Sequence, residues 1–135
     1  MTTQIFVNLP VRDLDRSKAF FKALGYANNP QFTDENAACI VISDTIYVML
    51  LVEPIFQGFT RKTICDARTH TEAILCLSAE SRAGVDALAD KAIAAGGSET
   101  LEAKDYGFMY QRSFQDPDGH QWEVVHMDDA ATPSD

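Results

Sequence analysis

Two oppositely charged residues, Arg112 and Glu123, flank the tetrapeptide Asp116-Pro117-Asp118-Gly119. Asp at the first position, Pro at the second and Gly at the fourth are the residues a type I turn selects. With Pro117-Asp118 as a two-residue tip, the register of the hairpin is countable. Gln115 then faces His120, Phe114 faces Gln121, Arg112 faces Glu123 and Tyr110 faces Val125. Arg112–Glu123 reads either as a cross-strand ion pair or as a guanidinium presented to an anionic ligand, the only obvious charged group to stabilise an oxyanion. Asn8 is the second chemical signal. It interrupts the apolar run QIFVNLPV at 4–11, and a buried Asn needs partners, from ligand or from backbone.

The other polar signals are weaker. Cys39, Cys65 and Cys76 are odd in number and widely spaced, with no CxxC or zinc-type spacing. Reduced thiols in a reducing compartment are expected, with Cys39 and Cys76 buried and inert inside apolar runs. His120 and His126 fall on the strand face opposite Glu123, and His70 lies in a connector. No Walker loop, GxGxxG, GxSxG, HExxH or EF-hand pattern is present.

The elements that must position these residues follow from periodicity. Residues 4–11 alternate, with Val7, Leu9 and Val11 on one face and Phe6, Asn8 and Pro10 on the other. Pro10 suggests a strand end or an edge strand. Asp13 caps a predicted helix over 14–24, which Gly25 stops. A short strand is expected near Gln31–Thr33, and 37–43 with 46–52 form a predicted hairpin about Asp44-Thr45. Residues 53–70 read as a connector with one helical turn, whose Phe56 and Phe59 either close a binding site or form a satellite cluster. A second set follows. It comprises a strand at 72–78, with Glu72, Ile74 and Cys76 on one face, and a helix at 82–95 capped by Ser81. A short strand near 99–103 and strands at 107–115 and 120–127 complete it, with Trp122 in the core.

The order strand–helix–strand–strand–strand thus occurs twice. The copies lie at about 4–52 and 71–127, around the connector 53–70 and before an acidic tail at 128–135. Neither copy alone covers both sides of its sheet, so the expectation is one α+β domain of two βαβββ modules, with helices outside and a cup between. The 135 residues suit one domain of ordinary globular composition. The net charge is −9, with about −1 on residues 1–67 and −8 on 68–135. Phosphate neutralisation calls for a basic face, so neither nucleic acid nor an anionic membrane is an expected partner. No apolar run reaches the ~20 residues of a membrane span, and MTTQIFVNLPVRD lacks the pattern of a secretory leader. A cytoplasmic protein is expected.

VRDLDRSKAFFKALGY at 11–26 and DPDGHQWEVV at 116–125 resemble the vicinal oxygen chelate superfamily. That superfamily holds glyoxalase I, extradiol dioxygenases and bleomycin-resistance proteins. Residues 29–51 and 107–114 are similar to its glyoxalase-like branch labelled "predicted lactoylglutathione lyase". The resemblance covers residues 4–127. It implies four metal-ligand positions in the cup, from the first and last strand of each module. Here they fall at Phe6, at Val48 or Met49, at Glu72 and at Glu123. Two of the four are ligand types, Glu72 and Glu123, which could hold a divalent metal such as Zn²⁺, Ni²⁺ or Mg²⁺ or act as a catalytic base. Phe6 excludes the two-His-one-carboxylate iron site of an extradiol dioxygenase.

The resemblance therefore implies a small-molecule binder of the bleomycin-resistance kind without the full metal-ligand set. Phe6, Asn8, Tyr110 and Arg112 are its expected ligand-binding residues. The alternative is a metal-dependent lyase or isomerase of the lactoylglutathione-lyase type. The resemblance also implies a homodimer.

Overall fold

A computed structural model describes residues 2–128. Any acidic tail beyond Asp128 lies outside the described residues. The chain divides into two compact units, residues 1–66 and 67–135, and each begins with a strand and a helix and then adds further strands to its sheet.

In the first unit β1 (Ile5–Val11), α1 (Leu14–Ala23), β2 (Ala27–Asn29), β3 (Ala37–Val41) and β4 (Ile46–Val52) make a four-stranded mixed sheet in the order β1-β4-β3-β2. β1 lies parallel to β4 and the other neighbours are antiparallel. β1 is therefore an edge strand, which is where Pro10 costs no ladder hydrogen bond. Asp13 caps α1 by accepting from the Arg16 N–H at 3.1 Å. Gly25, at φ +102°, ends it. The Tyr26 N–H then reaches the Phe21 carbonyl and the Gly25 N–H the Lys22 carbonyl, the paired closure that needs a left-handed residue.

Alternation decides what α1 covers. Phe20 and Phe21 of α1 are buried with Val11, Ala38, Ile40, Val48 and Leu50 of the sheet. The segment expected as a strand at Gln31–Thr33 is instead a single 3-10 turn, Pro30–Phe32. Pro30 begins it and the Asn29 side chain caps it, so β2 ends before the proline. A short helix α2 (Glu53–Gln57), with Pro54 in its first turn, follows β4 directly. Phe59 beyond it is 78% exposed.

In the second unit β5 (Ile74–Ser78), α3 (Arg82–Ala94), β6 (Ser98–Glu99), β7 (Lys104–Asp105), β8 (Met109–Gln115) and β9 (Gln121–Met127) follow in chain order. The sheet runs β5-β9-β8-β6, with β7 also on β8. β5 is parallel to β9, repeating the arrangement of β1 and β4. Ser81 caps α3 by accepting from the Gly84 N–H at 2.9 Å. Val85, Ala89 and Ala92 are fully buried along one stripe of α3, and α3 packs on β8 and β9. Small side chains there leave room for Phe114 and Trp122, buried and stacked with centroids 6.5 Å apart.

The β8–β9 register differs from the expected one by a residue. Gln115 pairs with Gln121, Phe114 with Trp122, Ser113 with Glu123 and Arg112 with Val124. The cause is the turn. Asp116 and His120 close it through the Asp116 N–H to the His120 carbonyl. Pro117, Asp118 and Gly119 then form a three-residue tip, not a two-residue one. Gly119 sits at φ +92°, the glycine of a type I turn followed by a bulge. A one-residue shift exchanges faces, so Arg112 does not oppose Glu123. Asp116, itself buried, holds the turn by accepting from the Asp118 and His120 N–H groups and the Trp122 indole. Burial pushes its carboxyl up, against the pull of His120 and the Trp122 N–H.

Candidate functional site

Two sheet faces lie away from the helices. In the first unit that face carries Phe6, Asn8 and Pro10 of β1. Beside them lie Tyr47, Met49 and Leu51 of β4, in register. Phe6 is 52% exposed and stacks on Tyr47 with centroids 4.9 Å apart and planes 11° from parallel. The Tyr47 hydroxyl donates to the Asp44 carbonyl at 2.9 Å, which fixes the ring. Asn8, expected to be buried and to need partners, is exposed, because β1 is an edge strand. Cys39, the cross-strand neighbour of Met49, is buried as expected, and burial raises its thiol.

In the second unit the corresponding face carries Ile74 and Cys76 of β5, Gln121, Glu123 and Val125 of β9, and Gln111 and Ser113 of β8. The Gln111 amide donates to Glu123 at 3.0 Å. Cys76 is the Cα partner of Glu123. It is exposed, not buried as expected, because β5 is the other edge strand and α3 lies on the opposite face. Burial of part of its surface, and then the Glu123 charge, hold its thiol above the usual range.

Three expected site residues lie elsewhere. Glu72 precedes β5, which begins at Ile74, and is exposed. Cys76, the partner of Glu123, lies four positions further on, roughly 13 Å along an extended chain, so Glu72 and Glu123 are not neighbours in register. Arg112 and Tyr110 occupy the face that α3 covers. The Tyr110 hydroxyl donates to Asp86 at 2.7 Å. Arg112, with its side chain only 11% exposed, pairs with Asp86, Asp90 and Glu99 at 3.0–3.2 Å. The hydrogen bond from Tyr110, then Arg112, holds the Asp86 carboxyl below its ordinary value. Arg82 stacks over the Tyr110 ring and pairs with Asp105 at 2.8 Å.

His126 lies on the same helix-covered face, as expected, with its Nδ1 3.0 Å from the Ala79 carbonyl. Tyr47, Gln111 and Cys76 are the site-face residues that pattern reading missed. Parallel register between β1 and β4 was the signal for Tyr47.

The comparisons with known proteins come to one answer. Residues 3–43 match a family model described as bleomycin resistance protein-like N-terminal. A hypothetical protein from S. aureus is 28% identical, with a TM-score of 0.79 over 93% of this chain and 94% of that one. A glyoxalase/bleomycin resistance protein/dioxygenase family enzyme from Burkholderia phytofirmans PsJN has a TM-score of 0.77 at 16% identity, over 93% and 99%. The chain has the fold of the glyoxalase/bleomycin resistance/dioxygenase proteins, and its first third is similar to the bleomycin-resistance N-terminal family. TnmS3, an antibiotic binding protein from Streptomyces sp. CB03234, shares the fold with a TM-score of 0.67 at 15% identity, over 94% and 97%. No curated protein matches the chain.

The resemblance implied four metal-ligand positions, and the helix caps locate them here. Phe6 precedes the α1 cap Asp13 by the same seven residues that separate Ile74 from the α3 cap Ser81. Ile74, not Glu72, is thus the counterpart of Phe6. Met49 and Glu123 correspond in the same frame, each two residues beyond the partner of Phe6 or Ile74. Of Phe6, Met49, Ile74 and Glu123, Glu123 alone is a hard-metal ligand type. Among the described residues no three His, Cys, Asp or Glu side chains gather in a way that could hold an ion. Neither unit brings more than one such ligand type to these positions, and one carboxylate gives fewer oxygen or nitrogen donors than Zn²⁺, Ni²⁺ or Mg²⁺ needs.

Proposed function

We propose that the protein binds a small molecule with a flat, apolar body on the β1–β4 face away from α1, as a bleomycin-resistance-type binder with no resident metal. The Phe6–Tyr47 stack, with Phe6 exposed and Tyr47 half-buried, carries this reading. Leaving half of the Phe6 surface exposed forfeits on the order of 1 kcal/mol of burial, and a ligand ring laid on the pair recovers part of it with ≈ 0.5–1.5 kcal/mol of stacking. Asn8, two residues along the same face and exposed, supplies one amide donor and one acceptor to orient the ligand. Met49 beside it offers a polarizable surface that adapts to ring edges. The antibiotic-binding description of TnmS3 supports a small-molecule ligand.

The test is calorimetric titration with two probes, bleomycin and an uncharged anthraquinone. Saturable binding of at least one probe is expected. Phe6→Ala should weaken it about tenfold, equivalent to ~1.4 kcal/mol, and Asn8→Ala by less. Binding that ignores both substitutions, or no binding of either probe at solubility, overturns the proposal.

A further inference from the structure

The first unit holds a groove of about 560 Å³ on the helical side of its sheet, between α1 and β2. Its volume is within the ~300–1,000 Å³ of small-molecule sites. Ala27 and Ile40 line it with the ring of Tyr26, and Lys18, Lys22 and Asn28 supply its polar groups. Ile40 and Asn28 are Cα partners across β2 and β3, and Ile40 belongs to the core under α1, so this groove is not the face that carries Phe6 and Asn8.

The polar groups around it are short of partners. Lys18 and Lys22 are four residues apart on α1, which sets their Cβ atoms about 5–6 Å apart and lets both ammoniums reach one anionic group. Among the described residues Lys22 has no carboxylate partner and the Tyr26 hydroxyl no hydrogen-bond partner. Lys18 pairs only with Asp15, at 3.5 Å, whose own side chain is 93% exposed. The Asn28 carbonyl oxygen accepts from the Thr33 hydroxyl, which leaves its amide N–H groups to donate. Burial raises the Tyr26 phenol, so that group stays a donor at neutral pH. Two lysines, a phenol and an amide therefore converge as donors around apolar side chains.

We propose that this groove binds a small amphiphilic organic anion, its carboxylate or sulfonate between Lys18 and Lys22 and its apolar body on Ala27 and the Tyr26 ring. The site is independent of the β1–β4 face.

Naphthalene-1-sulfonate is the probe, followed by amide NMR of the ¹⁵N-labelled protein. Saturable shifts are expected at residues 18–28 and 40. Lys22→Gln should raise Kd about tenfold, as expected for one charge-assisted contact, and Lys18→Gln with Lys22→Gln should raise it further. Added NaCl should weaken binding, and the neutral naphthalene-1-methanol should bind at least tenfold more weakly. Phe6→Ala should leave these shifts in place, which separates this site from the β1–β4 reading. Shifts centred on residues 6, 8, 47 and 49, or an affinity that neither lysine substitution changes, overturn the proposal.

Discussion

Gly119→Ala is expected to destabilise the protein far more than Gly25→Ala, although both glycines have positive φ. Gly25 lies at φ +102° with no atom within 4 Å of an added Cβ. Its substitution costs only the left-handed backbone term, about 1–2 kcal/mol. Gly119 lies at φ +92°, and an added Cβ would stand 2.7 Å from the Ala67 carbonyl oxygen, 2.8 Å from the Ala67 carbonyl carbon and 2.9 Å from the Arg68 Cα. All three are backbone atoms, so no side chain can swing aside. The backbone term applies again, and forcing the 67–68 segment off the turn adds about 1–3 kcal/mol of overpacking. The total is about 2–5 kcal/mol, a large fraction of the ~5–15 kcal/mol by which domains are stable.

Urea unfolding followed by far-UV circular dichroism measures both variants, with the loss read from the midpoint at an unchanged m-value. Gly119→Asn adds a control, because Asn tolerates positive φ and yet carries a Cβ, so it should keep most of the steric loss. Equal losses for the two alanine variants, within about 0.5 kcal/mol, would refute the close approach of residues 67–68 to the turn.

Two further predictions concern titrating groups. The Asp86 carboxyl is held below its ordinary value by Tyr110 and then by Arg112. A depressed folded pKa stabilises above the unfolded value and loses that contribution as pH falls through the folded one. Asp86→Asn should therefore flatten the acid limb of a stability–pH curve below about pH 4, and an unchanged limb in urea melts would contradict it. Cys76 is held above the usual thiol range, first by burial and then by Glu123. Only the thiolate is alkylated at speed, so Cys76 should react with iodoacetamide more slowly than the exposed Cys65 at pH 7.5. Glu123→Gln should raise its rate relative to Cys65 by peptide mass spectrometry, and an unchanged ratio would remove the carboxylate from the thiol's environment.

Much of the fold was legible because burial imposes periods. Val7, Leu9 and Val11 alternate, and Val11 is among the buried residues that α1 covers. Asp13, Ser81 and Gly25 act where capping chemistry places them. The glyoxalase/bleomycin-resistance fold expected from 11–26 and 116–125 is the one found in the Burkholderia phytofirmans structure.

The site was less legible, and two residues show why. Asp-Pro-Asp-Gly suits a type I turn, but a type I turn cannot close a right-twisted hairpin in two residues without splaying it. Gly119 adds the third, and Arg112 passes to the other face. Glu72 continues the alternation of Ile74 and Cys76 on paper, yet pairing stops at Ile74, whose partner is Gln121. Alternation has no marker for where a partner strand ends. The acids that take Arg112 had a visible signal, since Asp86 and Asp90 are four residues apart on one side of α3.

Each unit is closed by its first strand lying parallel to its last, and this orders events on the ribosome. β1 has no neighbour until β4 is synthesised, and β5 none until β9. The first sheet can close once residue 52 has left the exit tunnel. In the second, β9 is the strand that joins β5 to β8, so no sheet holding both forms before residue 127 emerges. A chain that has emerged only as far as residue 115 would thus carry a finished first sheet, with β5 still lacking its neighbour and α3 packed on β8 but not on β9. Such a chain exposes an unpaired strand edge and apolar surface that the complete unit hides.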